Sequence, residues 1–433
     1  MENLPNELRR SILQHLPLKN LKNIRLVSKL WAVLGQEYLF APTYRTLPHR
    51  PDTPYLQNIS HHIFYAPVIK AISFNHGEVN EYSGRHNSYF LQYLMEPGER
   101  LTQQHLTWEA YSRFKQLTDK YLPSSCDDEI LTDIFARLPN LTRLSISLMY
   151  CPFPETDPQI PNLLADIWRF PSTRLLPRVA TVERMFSITK AISANAPTLL
   201  IKTLSHDRLP FEFFSQNPKK VAVIASAFTN LTSLTLHMDY SDLPNDTHST
   251  AAFANLCTCL RAASLLQTLS LAFQGRRKIN IAPLLENFAD DEFTFQYLEI
   301  LQFQGMITTS DSLSDWLIRH KKSLRTVMLG GEGVKAVRQP ANGGISLESG
   351  SWKELIKRLS EELESDTQAE KENMGRCKIF LQGDLRGLES GESWILPNRV
   401  EATDSVSVRR EGETGLIEMM VAEIDPNGML AGV

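Results

Sequence analysis

The chain has 433 residues and a formal net charge of -4, which gives it no overall attraction for nucleic acids or acidic membranes. Hydrophobic residues make up 42% of the sequence and charged residues 22%, as in globular proteins rather than disordered or fibrous ones. The sequence has no apolar run of about 18 residues and no signal-peptide pattern. We therefore expect a cytoplasmic or nuclear protein that binds neither nucleic acid nor membrane.

The first predicted element is an amphipathic helix that ends at Pro17. Pro5 suits a first helical turn, because a proline lacks the N–H that has no helical partner there. Pro17 disfavours helical geometry in the residue before it and so ends the helix. The apolar residues between the two prolines recur at helical spacing on one face: Leu8, Ile12, Leu13 and Leu16.

A second amphipathic segment follows, with lysines on its polar side. Its apolar positions are Leu21, Ile24, Val27, Trp31 and Leu34. Together the two segments predict a helical hairpin of about 40 residues, which is below the size at which a chain usually folds without help. We expect the hairpin to pack on the rest of the chain, on a partner, or on both.

Three short motifs in this hairpin together resemble the F-box, by which a large family of proteins docks onto the Skp adaptor of a cullin–RING ubiquitin ligase. The motifs are Leu4-Pro5-x-Glu7-Leu8, Ile12-Leu13-x-x-Leu16-Pro17 and Val27-Ser28-Lys29-x-Trp31. The resemblance covers about a tenth of the chain. It implies that a Skp-type adaptor is bound by Leu4, Pro5, Leu8, Ile12, Leu13, Leu16, Pro17, Leu21, Val27 and Trp31.

A Pro-rich stretch from Thr46 to Pro54 predicts a semi-rigid spacer after the F-box. We divide the chain into an F-box at 1–45, a linker at 46–62, a repeat domain at 63–383 and a loosely ordered tail at 384–433. Within this tail, the segment 415–421 could form one more strand or a binding peptide.

The pattern L-x-x-L-x-L recurs through the long middle region. Its matches are Leu141-Leu144-Ile146, Leu231-Leu234-Leu236, Leu266-Leu269-Leu271, Leu298-Leu301-Phe303 and Leu324-Val327-Leu329, with an earlier candidate at Ile69-Ile72-Phe74. The segments 201–204 and 377–381 are weaker candidates. The last two apolar positions of each motif alternate with polar residues, which predicts short, half-buried strands.

Helical patterns lie between these motifs, for example at 251–263, 311–320 and 352–363. Strand–helix units of this kind bury their apolar faces by stacking, which predicts an α/β solenoid with a parallel sheet on its concave side. An ordinary compact α/β domain with Leu-rich strands is the alternative.

The pattern resembles the divergent leucine-rich repeats that follow an F-box in large fungal families. The ninth position of that family's repeat, usually Asn or Cys, is here Met149, Asp239, Gln274, Met306 or Glu332. The resemblance therefore implies an irregular solenoid that lacks the usual side-chain ladder between repeats.

The third, fifth and seventh motif positions would line the concave surface and contact a target protein. These residues are Ala71, Ser73, Asn75, Arg143, Ser145, Ser147, Ser233, Thr235, His237, Thr268, Ser270, Ala272, Ile300, Gln302, Gln304, Thr326, Met328 and Gly330. Phosphate recognition calls for an arginine cluster, and this set contains one arginine. The set favours a target bound by shape and neutral polar contacts, although a need for phosphorylation stays open. Simple solvation of the strands is the alternative.

The five cysteines are scattered along the sequence, which favours reduced thiols over a disulfide framework. Cys257 and Cys259 have no second pair of metal ligands nearby. We expect these two to be buried helix thiols and expect neither a metal nor a cofactor.

The usual catalytic motifs are missing, so we expect a protein that is not an enzyme. The glycines from Gly330 to Gly333 are wrongly spaced for a phosphate loop, and His206 and His237 are isolated. The resemblance implies the substrate-recognition adaptor of a Skp–cullin–F-box ubiquitin ligase. A scaffold that binds the Skp adaptor without ubiquitination is the alternative, and an unrecognised enzyme in the C-terminal half is a third hypothesis.

Overall fold

The structure is a computed structural model that describes residues 4–39, 42–81, 97–153, 168, 174–241, 246–275, 278–289, 293–333, 343–364, 377–402 and 408–410. These residues form a mixed α/β structure with a large parallel sheet. The described helices are α1 (Asn6–Gln14), α2 (Leu18–Ile24), α3 (Lys29–Leu39), α4 (Asp52–Ser60), α5 (Pro97–Tyr121), α6 (Asp128–Arg137), α7 (Arg178–Ala194), α8 (Pro218–Phe228), α9 (Asp246–Ala262), α10 (Ala282–Ala289), α11 (Ser310–Arg319) and α12 (Trp352–Glu364).

The described strands are β1 (Thr43–Thr46), β2 (Ala71–Asn75), β3 (Glu78–Val79), β4 (Arg143–Ser147), β5 (Arg174–Leu175), β6 (Thr203–Pro210), β7 (Ser233–Asp239), β8 (Thr268–Gln274), β9 (Ile279–Asn280), β10 (Ile300–Gln304), β11 (Met306–Thr308), β12 (Thr326–Gly330), β13 (Ser346–Leu347), β14 (Lys378–Gly387), β15 (Ser393–Ala402) and β16 (Val408–Arg410). The chain divides into two compact units. Unit 1 contains Met1–Ile167 and Ser187–Thr203, and unit 2 contains Trp168–Phe186 and Leu204–Val433.

In unit 1, three parallel strands lie in the order β1-β2-β4. The motif positions align in register, so that Ile72 lies opposite Leu144 and Phe74 opposite Ile146. These four side chains are buried, as the sequence pattern predicts. Strand β1, which pairs with β2 from Thr43 to Thr46, is an addition that the repeat pattern did not predict.

The predicted linker at 46–62 is wrong, because most of this segment is folded into β1 and α4. Leu56 of α4 is completely buried, and α4 packs against β1 and α6. The buried carboxylate of Asp52 accepts a hydrogen bond from the Leu47 N–H at 2.9 Å, and the Tyr44 hydroxyl donates to the Asp52 carbonyl at 2.9 Å. The prolines misled the prediction because Pro51 stands at the start of α4, where proline is tolerated.

In unit 2, strands lie in the order β6-β7-β8-β10-β12-β14, and the pairs from β7 to β14 are parallel. The leucines of the motifs again pair in register, as in the row Leu234, Leu269, Leu301, Val327 and Ile379. The strands alternate between buried and partly exposed residues, most clearly in β10 and β12. The parallel sheet and the two weaker strand candidates at β6 and β14 are thereby confirmed, whereas the solenoid stays a prediction.

A second row of short parallel strands, β9-β11-β13, joins the later half of β14 in unit 2. Strand β14 pairs with β12 before Gly383 and with β13 after it. Gly383 has a φ of 86°, which permits the change of direction between the two halves of the strand.

The loosely ordered tail predicted at 384–433 is wrong over its described part, residues 384–402 and 408–410. Strand β15 pairs antiparallel with β14, and β16 pairs antiparallel with β15. Trp394 is buried with its ring 6.5 Å from that of Trp352, whose indole N–H donates to the Arg386 carbonyl. This packing supplies the core that the low apolar density of the segment concealed. The segment 415–421 lies outside the described residues.

The predicted helices at 251–263, 311–320 and 352–363 are confirmed as α9, α11 and α12, with ends shifted by a few residues. The wide gap between the first two motifs holds helices α5 and α6. Among the helices that the structure describes, none combines the length and the apolarity required to cross a membrane.

The burial of Leu56 predicts that α4 is part of the fold of unit 1. Leu56→Ala should lower the free energy of unfolding by about 2–5 kcal/mol, because it removes buried methyl groups and leaves a cavity. Urea unfolding of the full chain measures this change. Tyr55→Ala, on the same helix but 55% exposed, is the matched control. Equal, small effects of both substitutions would support a spacer instead.

Candidate functional site

The three N-terminal helices build a small apolar core of their own. Leu13, Leu21, Trp31 and Leu34 are at most 5% exposed and form one cluster. Leu16, Ile24 and Tyr38 are partly buried against it. The element is therefore a three-helix domain, and the hairpin of two segments predicted from the sequence is corrected.

Two local signals divide the second predicted segment into α2 and α3. Pro17 directly precedes α2 with a φ of -58°, which suits a helix start. The Ser28 hydroxyl accepts a hydrogen bond from the Trp31 N–H at 3.4 Å, as an N-cap does, and so starts α3. The intervening turn at Arg25–Val27 places Leu26 and Val27 at the surface.

Polar side chains complete this core at its edges. Arg9 is buried, its guanidinium lies 5.8 Å from the centre of the Trp31 ring, and it donates to the Asn6 side chain at 3.1 Å. Gly35 is also buried, and a Cβ there would lie 2.7 Å from Cγ of Arg25. The glycine therefore lets the Arg25 stem cover α3 closely.

A second apolar face remains uncovered on the same helices. On α1, Leu8 and Ile12 each precede a buried residue by one position, and on α3 so do Leu30 and Val33. One residue turns a helix by about 100°, so both helices carry an apolar stripe beside the one that faces the core. With the turn between α2 and α3, the exposed apolar face consists of Leu8 (52% exposed), Ile12 (39%), Leu26 (87%), Val27 (68%), Leu30 (41%) and Val33 (60%).

The ten residues predicted to contact an adaptor therefore separate into groups. Leu13, Leu21 and Trp31 lie in the core of the helices, where they support the surface from inside, and their predicted direct contact is corrected. The exposed members are Pro5, Leu8, Ile12, Pro17 and Val27, and Leu4 and Leu16 are partly buried.

The sequence prediction missed Leu26, Leu30 and Val33 on the exposed apolar face. The signal that could have found them is an apolar residue standing next to a core position on a short helix. Such a residue has no place in a single amphipathic stripe.

The predicted target-binding positions form continuous rows across the strands of unit 2. One row joins Ser233, Thr268, Ile300, Thr326 and Lys378, a second joins Thr235, Ser270, Gln302, Met328 and Phe380, and a third, shorter row joins His237, Ala272 and Gln304. Gly330 pairs with Gln382. We call this surface the polar strand face. Strand β14 adds Lys378, Phe380 and Gln382 to this face, and the repeat pattern did not predict these three residues as target contacts.

Ser270, Ala272 and Gly330 of these rows are buried, which corrects their predicted accessibility. Ser270 is only 7% exposed, and its hydroxyl donates to the Gln302 side chain at 3.1 Å. The Gln304 side chain lies so close over Gly331 that a Cβ there would come within 2.4 Å of its amide carbon. The glutamines of this face are therefore partly held by their neighbours.

In unit 1, the same positions form shorter rows. They join Thr43, Ala71 and Arg143 in one row, Arg45, Ser73 and Ser145 in the next, and Asn75 and Ser147 in a third. Asn75 donates to the Tyr150 carbonyl at 3.2 Å, and the Ser147 hydroxyl accepts from the Tyr150 N–H at 2.8 Å. These two residues therefore position Tyr150. Asn75 is only 5% exposed, which corrects its predicted place on an accessible surface, whereas the target contact of Ser147 stays a prediction.

An ion network around the buried carboxylate of Asp239 lies where α7 begins and β7 ends. Arg178 donates to both carboxylate oxygens of Glu212, at 2.8 and 2.6 Å, and to Oδ1 of Asp239 at 2.8 Å. Arg208 donates to the other oxygen of Asp239 at 3.1 Å. Burial alone would raise the pKa of Asp239, but Arg208, the Ser241 N–H and Arg178 outweigh it and hold this pKa below its usual range.

His206 occupies the last apolar position of the β6 motif, where the other strands carry Leu, Ile or Phe. It is 1% exposed, its Nδ1 accepts a hydrogen bond from the Arg208 N–H at 3.1 Å, and Nε2 has no partner among the described residues. Burial, together with the nearby His237, lowers its pKa to about 3. The isolated histidine of the sequence is therefore a neutral core residue.

Cys257 and Cys259 are buried thiols of α9, as predicted. Burial raises the pKa of Cys259 to about 12, so its thiol is protonated at neutral pH.

Comparison with known families identifies one part of the chain. Residues 1–34 match the family model of the F-box domain. The match covers α1, α2 and the first part of α3, the helices that carry the exposed apolar face. No curated protein matches the chain.

The ion network predicts an acid-sensitive contribution to stability. Asp239→Asn should lower the free energy of unfolding by about 3 kcal/mol at neutral pH, because two half-buried arginines lose their buried charged partner. The wild-type contribution should be present above about pH 4 and should fall as the pH drops through the lowered pKa of Asp239. Chemical unfolding at several pH values measures both. Asp311→Asn, at a side chain 87% exposed, should cost under about 1 kcal/mol.

Replacing His206 by leucine is expected to raise stability at acid pH, whereas replacing Asp239 by asparagine lowers stability at neutral pH. The unfolded histidine binds a proton below about pH 6.5 while the folded one stays neutral until about pH 3, so the wild type loses stability between these values. His206→Leu removes this loss and fits the apolar row, so its stability advantage should grow as the pH falls. His206→Gln should also remove the titration but lower stability at every pH. An unchanged acid slope in both variants would contradict the assignment.

Proposed function

We propose that this protein is the substrate-recognition subunit of a Skp–cullin–F-box ubiquitin ligase. Its N-terminal helices dock a Skp-type adaptor, and its strand-rich region holds a target protein in the cytosol or nucleus. Proximity then raises the effective concentration of target lysines near the ubiquitin-charged enzyme of the complex.

The observation that carries this proposal is an apolar face on the segment that matches the F-box domain. Burying an exposed Leu, Ile or Val side chain is worth up to about 1.5–3 kcal/mol, so the six residues of this face offer ample binding energy. Several large apolar side chains that a small helical element leaves exposed are typical of an interaction site. We assign adaptor contact to Leu8, Ile12, Leu26, Val27, Leu30 and Val33, supported from within by Leu13, Leu21 and Trp31.

The remainder of the chain is proposed to be a divergent leucine-rich-repeat domain, of the type that follows an F-box in fungal families. In-register parallel strands with helices between them support this proposal. We assign target binding to the polar strand face of unit 2 and, as a separate surface, to the rows of Arg143, Ser145 and Ser147 in unit 1. In this proposal the chain supplies binding only, and ubiquitin transfer belongs to other subunits.

The adaptor contact is tested by co-purifying the full chain with a Skp-type adaptor. Leu8→Ser combined with Ile12→Ser, and separately Leu30→Ser combined with Val33→Ser, should each reduce adaptor recovery by about tenfold or more, since two apolar anchors are lost. The control is Ile63→Ser with Phe64→Ser, which changes two residues that are 79% and 64% exposed outside the helices. Recovery that is equal in all variants would contradict the proposal.

A second measurement separates a ligase subunit from a scaffold. Proteins labelled by proximity to the chain should accumulate when the proteasome is inhibited, and should accumulate equally when the exposed apolar face is changed. Partners that stay bound at a constant level in all conditions would instead favour the scaffold.

A further inference from the structure

Unit 1 carries two arginines on one face of its sheet that have no carboxylate partner among the described residues, although they are far apart in the sequence. Arg45 of β1 lies opposite Ser73 of β2, and Arg143 of β4 lies opposite Ala71 of β2. Directly paired residues point to the same side of a sheet, so both arginines share the face of Ser73 and Ser145. Arg45 escaped the sequence prediction because most of its strand was assigned to the F-box at 1–45.

Both arginines carry uncompensated charge. Their side chains are exposed, and neither forms an ion pair with a carboxylate in the described part of the chain. The arginines of the other ion pairs in unit 1, such as Arg137 with Asp133, are neutralised at short distance. An unneutralised pair of guanidinium groups beside two serine hydroxyls offers donors and no acceptor charge, which is complementary to an anion.

One of the two arginines is held in place. The Arg45 guanidinium lies 5.7 Å from the centre of the Tyr150 ring, and its Nη1 is 3.5 Å from the Tyr150 hydroxyl. Tyr150 is itself fixed through its backbone by Asn75 and Ser147. A surface arginine stacked in this way loses little conformational freedom on binding.

The spacing suits a ligand that lies across the middle strand. Two strand intervals separate Arg45 from Arg143, about 10 Å, and a two-residue offset adds about 7 Å along the strands. Long arginine side chains from both sides can therefore reach one anionic group above Ser73 of β2, whose neighbour on β4 is Ser145.

We propose that Arg45, Arg143, Ser73 and Ser145 form a recognition site for an anionic side chain of the target, with Tyr150 as the positioning residue. The site rests on the proposed function, because it specifies which segment of a target the strand region holds. It revises the neutral recognition expected from the sequence. The anion is a phosphorylated residue or a carboxylate, and the two sources share this chemistry.

The test measures capture of peptides by the purified full chain. Three random-sequence peptide pools carry a fixed central phosphoserine, glutamate or serine. Retention of the phosphoserine or the glutamate pool should exceed that of the serine pool by about tenfold, the usual value of a charge-assisted hydrogen bond. Phosphoserine enrichment alone identifies phosphate, and comparable glutamate enrichment identifies a carboxylate.

Variants connect that preference to the site. Arg45→Gln and Arg143→Gln should each abolish most of the enrichment, whereas Arg113→Gln, an exposed change on α5, should not. Tyr150→Ala should weaken enrichment as Arg45→Gln does, and Tyr150→Phe should retain it because the ring remains. Equal retention of all three pools, or enrichment that survives both arginine changes, would overturn the proposal.

Adaptor recovery is measured on the same samples and keeps the two proposals distinguishable. The arginine variants should recover the Skp-type adaptor as well as wild type does, which shows that their N-terminal helices are folded. If the arginine variants lose the peptide preference but recover the adaptor normally, the anion site is supported. If no sample recovers the adaptor, the proposed function is contradicted.

Discussion

The structure depends on one constraint, the two-residue alternation of each short strand. An apolar residue at every second position must face the core, so neighbouring strands can pair only in the register that aligns their leucines. A slip by one residue would expose Leu269, Leu301 and Val327 together. The same register then aligns the intervening polar residues into rows, so the polar strand face is a consequence of core packing rather than a separately specified surface.

The N-terminal helices must also bury apolar side chains, but they have few residues with which to do so. A chain of this size cannot enclose all of its apolar side chains, and these helices enclose one stripe around Trp31 while leaving the neighbouring stripe open. Arg9 and the stem of Arg25 close the core at its edges. An element built in this way is stable enough to present an apolar surface and gains further stability when that surface is covered.

Sequence reasoning succeeded where the signal was local. The L-x-x-L-x-L motifs, the helices between them and the buried thiols of α9 each depend on spacing within a few residues. It failed where packing from distant residues decided the outcome. The prolines before α4 suggested a spacer, but Leu56 is buried among residues of β1 and α6; the polar composition around Trp394 suggested a loose tail, but Trp352 and β14 supply its core. His206 replaces an apolar residue in its motif, and only burial explains its lowered pKa.

The sequence by itself determined the two recognisable parts of this protein, the helices that match the F-box domain and the strands that recur behind them, because both are encoded in short-range periodicity. Only the tertiary structure decided which apolar residues of the helices remain exposed and which polar residues share a strand face. Those assignments depend on neighbours far away in the chain. Leu13 and Ile12 are adjacent in sequence, yet packing buries one and exposes the other; Arg45 and Arg143 are distant, yet strand pairing brings them onto the same face.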